Sequence, residues 1–198
     1  MSQILLLQSS LNGPASRTNQ LMKHFLQTRR EQGHQDQVVV RDLTTLDLPA
    51  LDSPLFHALR GAEPANEAIR QAVALSDRLI AELKAADLLL IGAPMYNLNV
   101  PTPLKNWFDL VARAGVTFRY TDTYPMGLVE GVNALVFSSR GGVHQGQATD
   151  AVTPYLKSVL GLMGIPVEFV YAEGMDLRPH GAEQGMREAH ARIAGLGR

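Results

Sequence analysis

The sequence predicts an α/β fold in which a five-stranded parallel sheet carries helices on both faces. Two observations predict it: five short apolar runs alternate with five amphipathic segments, and each run is continuously apolar rather than alternating with polar residues. Parallel strands have continuously apolar sequences because helices cover both faces of the sheet. Since no repeat, linker or low-complexity tract interrupts the pattern, residues 1–198 are expected to form a single domain.

The first half of the chain contains three predicted strands and two long helices. The strands are Ile4–Leu7, Val38–Val40 and Leu88–Ile91. The first helix is predicted to start at Ser16 and to end at Gly33, because apolar residues recur on one face between them. The second helix covers Ala65–Ala86, where apolar positions step by three and four. Residues 43–64 are expected to be irregular, since prolines break any long element there.

The second half of the chain continues the alternation. A helix is predicted to start at Pro101–Pro103, where a residue without an N–H is tolerated. Strands follow at Val132–Phe137 and Val167–Tyr171, separated by a helix with an apolar stripe from Val152 to Met163. A weaker helix from Ala182 to Ile193 ends the pattern. Five strands in this arrangement favour the flavodoxin-like three-layer sandwich with strand order 2-1-3-4-5.

The composition excludes several classes of function. Cysteine is absent, which excludes disulfides, cysteine nucleophiles and thiolate metal sites. The net charge of −1 provides no strong field for nucleic acid or an anionic membrane surface. No apolar run approaches the ~20 residues that span a bilayer, and the histidines are scattered rather than clustered as metal ligands. A cytoplasmic protein that binds neither nucleic acid nor membrane is expected.

The loop after the first strand is a candidate phosphate site. Ligands of open parallel sheets bind beyond the carboxyl ends of the strands. Residues 8–18 hold neither GxGxxG nor GxxxxGK[ST], but they place hydroxyl groups at a helix N-terminus. Free N–H groups there can hold a phosphate, with Ser10, Ser16 and Thr18 as further donors. Arg17 adds a charge. The alternative is an ordinary loop in which Ser16 only caps its own helix.

The loops after the third and fourth strands add two further candidate features. Residues 94–103 contain three prolines, so they present backbone groups in fixed positions that suit the edge of a planar ring. The alternative is a rigid connection with Tyr96 partly buried. Gly141 and Gly142 let the backbone approach a ligand closely, although a flexible turn would also use paired glycines. His144 invites a general-acid role, but a lone surface histidine often has no function.

The three loops together describe a phosphate anchor, a clamp for a ring edge and a patch of N–H donors. This combination matches flavin mononucleotide (FMN) better than a sugar or a peptide. A receiver domain needs an acidic pair after the first strand, where Gln8-Ser9-Ser10 stands. A low-molecular-weight tyrosine phosphatase needs a cysteine, and the GxSxG turn of a hydrolase is absent.

Four motifs follow one another along the chain. They are Pro94-Met95-Tyr96-Asn97, Pro101-x-Pro103-Leu104-Lys105-x-Trp107-x-Asp109, Gly115-Val116-Thr117-Phe118-x-Tyr120-Thr121 and Ser139-Arg140-Gly141-Gly142. With them the sequence resembles, over nearly its whole length, the FMN-dependent NADH azoreductases, also described as NADH:quinone oxidoreductases. The resemblance implies tightly bound FMN, NADH as electron donor, quinones or azo compounds as substrates, and a homodimer with its active site near the subunit interface.

The resemblance also implies roles for particular residues. The implied FMN-binding residues are Ser10, Ser16, Arg17 and Thr18 around the phosphate, Met95, Tyr96, Asn97 and Leu98 along the ring edge, and Ser139, Arg140, Gly141 and Gly142 at the pyrimidine side. A backbone N–H near Asn97 serves the flavin N5 side. His144 and Tyr120 are candidate substrate contacts, with Tyr120 reaching the flavin of the partner subunit. Thr18 and Leu98 depart from the family pattern, which often has serine and an aromatic residue there.

The expected reaction is a two-stage redox cycle in which the flavin carries the chemistry. A hydride passes from NADH to flavin N5 and then to the oxidant, and an azo bond needs two such cycles to give two amines. No catalytic side chain is assigned. The alternatives are a flavodoxin-like electron carrier and an FMN-binding regulatory protein without its own substrate site. A carrier usually docks through a strongly acidic surface, which does not fit a net charge of −1.

Overall fold

The structure, a computed structural model, describes residues 1–179 and 181–196 and is built on a five-stranded parallel sheet. The strands are β1 (Gln3–Gln8), β2 (Gln37–Asp42), β3 (Leu88–Gly92), β4 (Phe118–Arg119), β5 (Met126–Gly127), β6 (Asn133–Ser139) and β7 (Val167–Ala172). The sheet order is β2-β1-β3-β6-β7, while β4 and β5 pair antiparallel as a separate hairpin. The predicted order 2-1-3-4-5 is confirmed, because the hairpin strands lie outside the sheet.

Six α-helices cover the two faces of this sheet in the described part of the chain. They are α1 (Arg17–Glu31), α2 (Ser53–Ala58), α3 (Glu67–Lys84), α4 (Thr102–Val111), α5 (Val152–Met163) and α6 (Gly181–Leu196). Helices α1 and α6 pack together over one face, and α2 to α5 lie over the other. None of the helices in the described residues is both long and apolar enough to cross a bilayer.

The strands divide their side chains between two separate cores. In β1, Leu5 and Leu7 point to the larger core under α3, α4 and α5, whereas Ile4 and Leu6 point to the smaller core under α1 and α6. Successive side chains of a strand point to opposite faces, so a strand covered on both sides must be apolar at every position. Trp107 of α4 is fully buried in the larger core.

Polar caps fix where several helices begin. The side-chain oxygen of Ser16 accepts a hydrogen bond from the N–H of Asn19 at the start of α1. Asn66 caps α3 in the same way, so this helix begins at Glu67, two residues after the predicted Ala65. Such caps satisfy N–H groups that have no partner inside the helix. Gly164 ends α5 with a φ of 87°, a left-handed conformation that glycine adopts without strain.

Two elements differ from the sequence prediction. The segment 43–64, predicted to be irregular, contains the short helix α2, which starts with Pro54 in its first turn and is capped by Asp52. The prolines exclude a long element but permit a helix that begins at one of them. The β4–β5 hairpin was also not predicted, because strands of two residues carry no detectable periodicity.

Candidate functional site

The loops after β1, β3 and β6 meet at the carboxyl edge of the sheet, because these three strands are neighbours. The hydroxyl of Tyr96 lies 3.1 Å from Ser10 Oγ and accepts the N–H of Leu11, also at 3.1 Å. On the other side, the N–H of Met95 donates to the carbonyl of Ser139 at 3.0 Å. The three loops that the sequence singled out are therefore joined by hydrogen bonds into one surface.

The N-terminus of α1 offers backbone donors beside a buried pair of hydroxyls. Ser16 Oγ accepts the N–H of Asn19 at 3.2 Å and lies 3.0 Å from Thr18 Oγ1. The N–H groups of Arg17 and Thr18 have no acceptor among the described residues. Free N–H groups and the positive end of the helix dipole together favour an anion. Ser16 thus caps its helix while the first turn keeps donors for a phosphate; the Arg17 side chain is exposed.

Residues 96–99 form a tight turn that presents two further N–H groups. The N–H of Tyr96 donates to Asn99 O at 2.9 Å, and the N–H of Asn99 donates to Tyr96 O at 3.0 Å. Both central residues have positive φ, 50° at Asn97 and 66° at Leu98, as in a type I′ turn. Leucine in this conformation costs about 1 kcal/mol. The N–H groups of Asn97 and Leu98 have no acceptor in the part of the chain that the structure describes.

In the loop after β6, Gly141 and Gly142 use their carbonyls but not their N–H groups in hydrogen bonds to the described residues. The carbonyls of Gly141 and Gly142 accept N–H groups from the segment after β7, at 3.0 and 2.9 Å. The N–H groups of the same two glycines have no acceptor within residues 1–179 and 181–196. Ser139, at the end of β6, is half-buried beside them. The pattern is an outward-facing pair of donors, suited to an electron-rich ligand edge.

The Arg140 side chain is bound by neighbouring groups of the protein. Its guanidinium is buried, with 1% of the residue exposed, and binds Asp150, Glu173, Ser138 and Thr153. The side chain therefore lies beneath the loop and offers no free donor to a ligand above it. Burial opposes ionisation of Asp150, but hydrogen bonds from the Thr153 N–H and from Arg140 outweigh burial and hold the pKa of Asp150 below its usual value.

The two candidate substrate contacts lie in different places. The His144 imidazole stands beside Gly142, where its Nε2 would be 2.8 Å from a Cβ added at that glycine, and its Nδ1 lies 2.8 Å from Thr149 Oγ1. His144 is therefore adjacent to the outward-facing donors. Tyr120 follows β4, is 64% exposed, and packs edge-on against Phe118. Within the described residues of this one chain, no hydrogen bond or ring contact joins Tyr120 to the three loops.

A cavity of about 400 Å³ adjoins the turn at residues 96–99. Its lining includes Asn97, Lys105 and Tyr155. Burial, together with the negative charge of Asp109, raises the pKa of Tyr155 well above its ordinary value, so its hydroxyl stays protonated at neutral pH. A volume of this size is ordinary for a small-molecule site.

The whole chain matches known proteins. A family model described as a flavodoxin-like fold matches residues 2–196. A relative from Burkholderia lata, named FMN-dependent NADH:quinone oxidoreductase 4, is 66% identical over 197 residues that cover 99% of each chain. The chain belongs to the flavodoxin-like family of FMN-dependent NADH:quinone oxidoreductases.

Another relative and a solved structure extend the comparison. The FMN-dependent NADH:quinone oxidoreductase of Aeromonas salmonicida is 52% identical over 197 residues, again 99% of each chain. The crystal structure of an azoreductase from Bacillus anthracis superposes with a TM-score of 0.86 at 28% identity, over 100% of this chain and 99% of that one. The resemblance drawn from the four sequence motifs and the flavodoxin-like fold are both confirmed.

The carboxylates that surround Arg140 were not predicted from the sequence. Glu173, directly after β7, accepts the N–H groups of His144 and Gln145, each at 2.9 Å. Asp150, before α5, completes the group. A buried arginine needs carboxylate partners. The position of Arg140 directly after a buried strand was the only feature of the family motif that pointed to such carboxylates.

Proposed function

We propose that this protein is an FMN-dependent NADH:quinone oxidoreductase that reduces quinones and cleaves azo compounds. The observation that carries the proposal is a set of backbone N–H groups at the carboxyl edge of the sheet, at α1, at the turn 96–99 and at Gly141–Gly142, that find no acceptor among residues 1–179 and 181–196. Membership of the family, with a relative named for this activity at 66% identity, supports the reaction class.

The donor groups of the site fit FMN from one end to the other. The phosphate carries negative charge, and the α1 N-terminus supplies N–H groups and the hydroxyls of Ser16 and Thr18, while the loop after β1 adds the hydroxyl of Ser10. The dimethylbenzene and pyrazine part of the ring needs a flat, fixed edge, which Met95 to Leu98 supply. The pyrimidine carbonyls need donors, which Gly141 and Gly142 supply through their backbone.

The residues of the chain bind, orient and stabilise charge. When bound, FMN supplies two-electron chemistry, taking a hydride from NADH and passing it to a quinone or azo compound in a ping-pong cycle, with two cycles per azo bond. The N–H groups of Gly141 and Gly142 stabilise negative charge at the ring edge they face. The stiff turn at 96–99 keeps its N–H groups aimed without reorganisation. His144, beside Gly142, orients the substrate.

The proposal extends to the assembly and setting of the protein. Tyr120 is 64% exposed on a hairpin that carries two more exposed apolar side chains, Tyr124 and Met126. We assign this hairpin to a homodimer in which Tyr120 reaches the flavin of the partner subunit. Residues 1–198 act as one FMN-binding domain, working in the cytoplasm on small-molecule substrates without nucleic acid or membrane partners.

Anaerobic mixing of FMN-loaded protein with NADH, followed by a quinone, tests the function. The yellow flavin absorbance should bleach with NADH and return when the quinone is added. A flavin that binds but stays oxidised with NADH would favour an electron carrier or a regulatory flavoprotein. A protein that binds no flavin would overturn the proposed roles of all three loops.

A further inference from the structure

The loop after β6 owes its shape to contacts with the segment after β7. The carbonyl of Arg140 accepts the N–H of Met175 at 3.1 Å, and the carbonyls of Gly141 and Gly142 accept the N–H groups of Asp176 and Gly174. All three acceptors of this stretch therefore face the protein. The donors of the two glycines are left to face the ligand side.

One carboxylate oxygen completes this arrangement at the far end of the loop. Glu173 Oε1 accepts the N–H groups of His144 and Gln145, both at 2.9 Å. It thereby fixes the direction in which the chain leaves Gly142. Hydrogen bonds from amides to a charged acceptor are about twice as strong as neutral ones.

The same oxygen is held from below by a buried arginine. Arg140 Nη1 lies 3.2 Å from Glu173 Oε1 and 3.0 Å from Asp150 Oδ2, and its Nη2 donates to Thr153 Oγ1 at 2.8 Å. The guanidinium carbon stands 4.8 Å from the centre of the Tyr171 ring. Movement of Glu173 would thus break its ion pair with an arginine whose side chain is fully buried.

The stability of the fold does not by itself explain the buried cluster of Arg140, Asp150 and Glu173. Replacing a buried ion pair by well-packed apolar residues is often neutral or stabilising. Here Glu173 holds two backbone amides as well as the Arg140 side chain, and those amides, of His144 and Gln145, begin two residues after Gly142. The arrangement therefore controls the direction of the Gly141 and Gly142 N–H groups.

We propose that Glu173, fixed by Arg140, is a positioning residue that aims the Gly141 and Gly142 N–H groups at the pyrimidine edge of the flavin. The inference rests on the proposed function, because it needs FMN at this loop. Neither side chain touches the ligand; both act through the backbone between them. The family motif by itself is equally compatible with this positioning role and with direct binding of FMN by the Arg140 side chain.

Two substitutions with the same change of charge isolate the role of the acceptor. Glu173→Gln keeps an oxygen that can accept the two amides, whereas Glu173→Ala removes it. Glu168→Gln is a matched control, since Glu168 lies on β7 in an exposed ion pair with Arg192. The measurements are the thermal midpoint, the Kd of FMN for the apoprotein by fluorescence quenching, and the midpoint potential of bound FMN.

The expected result separates the two variants. Glu173→Ala should bind FMN about tenfold more weakly than Glu173→Gln, and its bound flavin should have the lower midpoint potential, because misaimed donors stabilise the reduced, negative ring less. Both variants should lose thermal stability, and the control should match wild type in all three measurements. A purely structural role would lower the thermal midpoint while leaving the two flavin measurements equal in both variants, and that result overturns the proposal.

A second comparison covers the case in which Glu173→Ala does not fold. Glu173→Asp keeps the charge but withdraws the carboxylate by one methylene, so FMN binding should weaken relative to wild type; an unchanged Kd overturns the proposal. Failure of the proposed function is distinguishable, because it would show in the wild-type protein, either as no FMN binding or as a bound flavin that NADH does not reduce.

Discussion

Replacing Gly92 with alanine would test the assignment of the phosphate to the N-terminus of α1. Gly92 ends β3 directly beneath the first turns of that helix. A Cβ at this position would stand 2.7 Å from Met22 Cε, 3.2 Å from Thr18 Oγ1 and 3.4 Å from the carbonyl oxygen of Leu7. The added methyl group therefore presses on one of the hydroxyls that we assign to the phosphate.

The size of the effect follows from these three contacts. Met22 meets the methyl group with the end of a flexible side chain, which can rotate away, and the Leu7 carbonyl oxygen at 3.4 Å is in ordinary contact, but the buried Thr18 hydroxyl at 3.2 Å must shift by a few tenths of an ångström. Overpacking a core in this way costs about 1–3 kcal/mol. Alanine recovers about 0.4–1 kcal/mol by restricting the unfolded chain. We expect a net loss of about 1–2 kcal/mol in the free energy of unfolding, and FMN binding weaker by about tenfold.

Urea unfolding of the apoprotein and FMN titration of the same sample measure the two effects. Gly161→Ala is the control, because a Cβ at this exposed position in α5 meets no atom within 4 Å. The control should gain about 0.5–1 kcal/mol of stability and bind FMN as wild type does. Loss of stability in Gly92→Ala with an unchanged FMN Kd would refute the placement of the phosphate at Thr18.

Three further predictions address the rest of the site. Tyr96→Phe removes the hydroxyl that links to Ser10, so FMN affinity should fall several-fold while stability falls by only about 1 kcal/mol; equal FMN titration curves would contradict the link. His144→Ala should raise the KM for the quinone in steady-state assays, and unchanged rates with both substrates would remove His144 from the site. The lowered pKa of Asp150 contributes stability that is full above about pH 5 and is lost as pH falls through the folded pKa. Asp150→Asn should therefore flatten the decline of the thermal midpoint between about pH 5 and pH 3, and parallel curves would exclude this contribution.

Much of the fold was predictable because its signals are local. The continuous apolar runs at Ile4–Leu7 and Leu88–Ile91 predict buried parallel strands, and these strands occupy the centre of the sheet. The cap at Ser16 and the apolar stripe after it predict α1. The helix α2 and the β4–β5 hairpin carry no comparable signal, since each is shorter than the window in which periodicity can be recognised.

The sequence predicted which backbone loops form the candidate site, but not how their side chains are arranged. The three loops were found because parallel strands end at one edge, and their joining through Tyr96 and Met95 agrees with that expectation. The direction in which the Arg140 side chain points could not be predicted from the sequence. Its partners Asp150 and Glu173 lie 10 and 33 residues away along the chain. The pairing of β6 with β7 brings Glu173 to Arg140, and the loop that leads from β6 into α5 brings Asp150.

The sequence by itself determined the order of strands and helices along the chain and the loops that carry the candidate site. It also excluded the classes of chemistry that require cysteine. These properties follow from the types and spacing of nearby residues. Only the tertiary structure decided which hydrogen-bond donors of the candidate site are left free and which bind other groups of the protein. Whether the N–H of Gly142 is free and the guanidinium of Arg140 is occupied depends on groups that folding brings together, and a buried charge must bind whichever partners the fold places within reach.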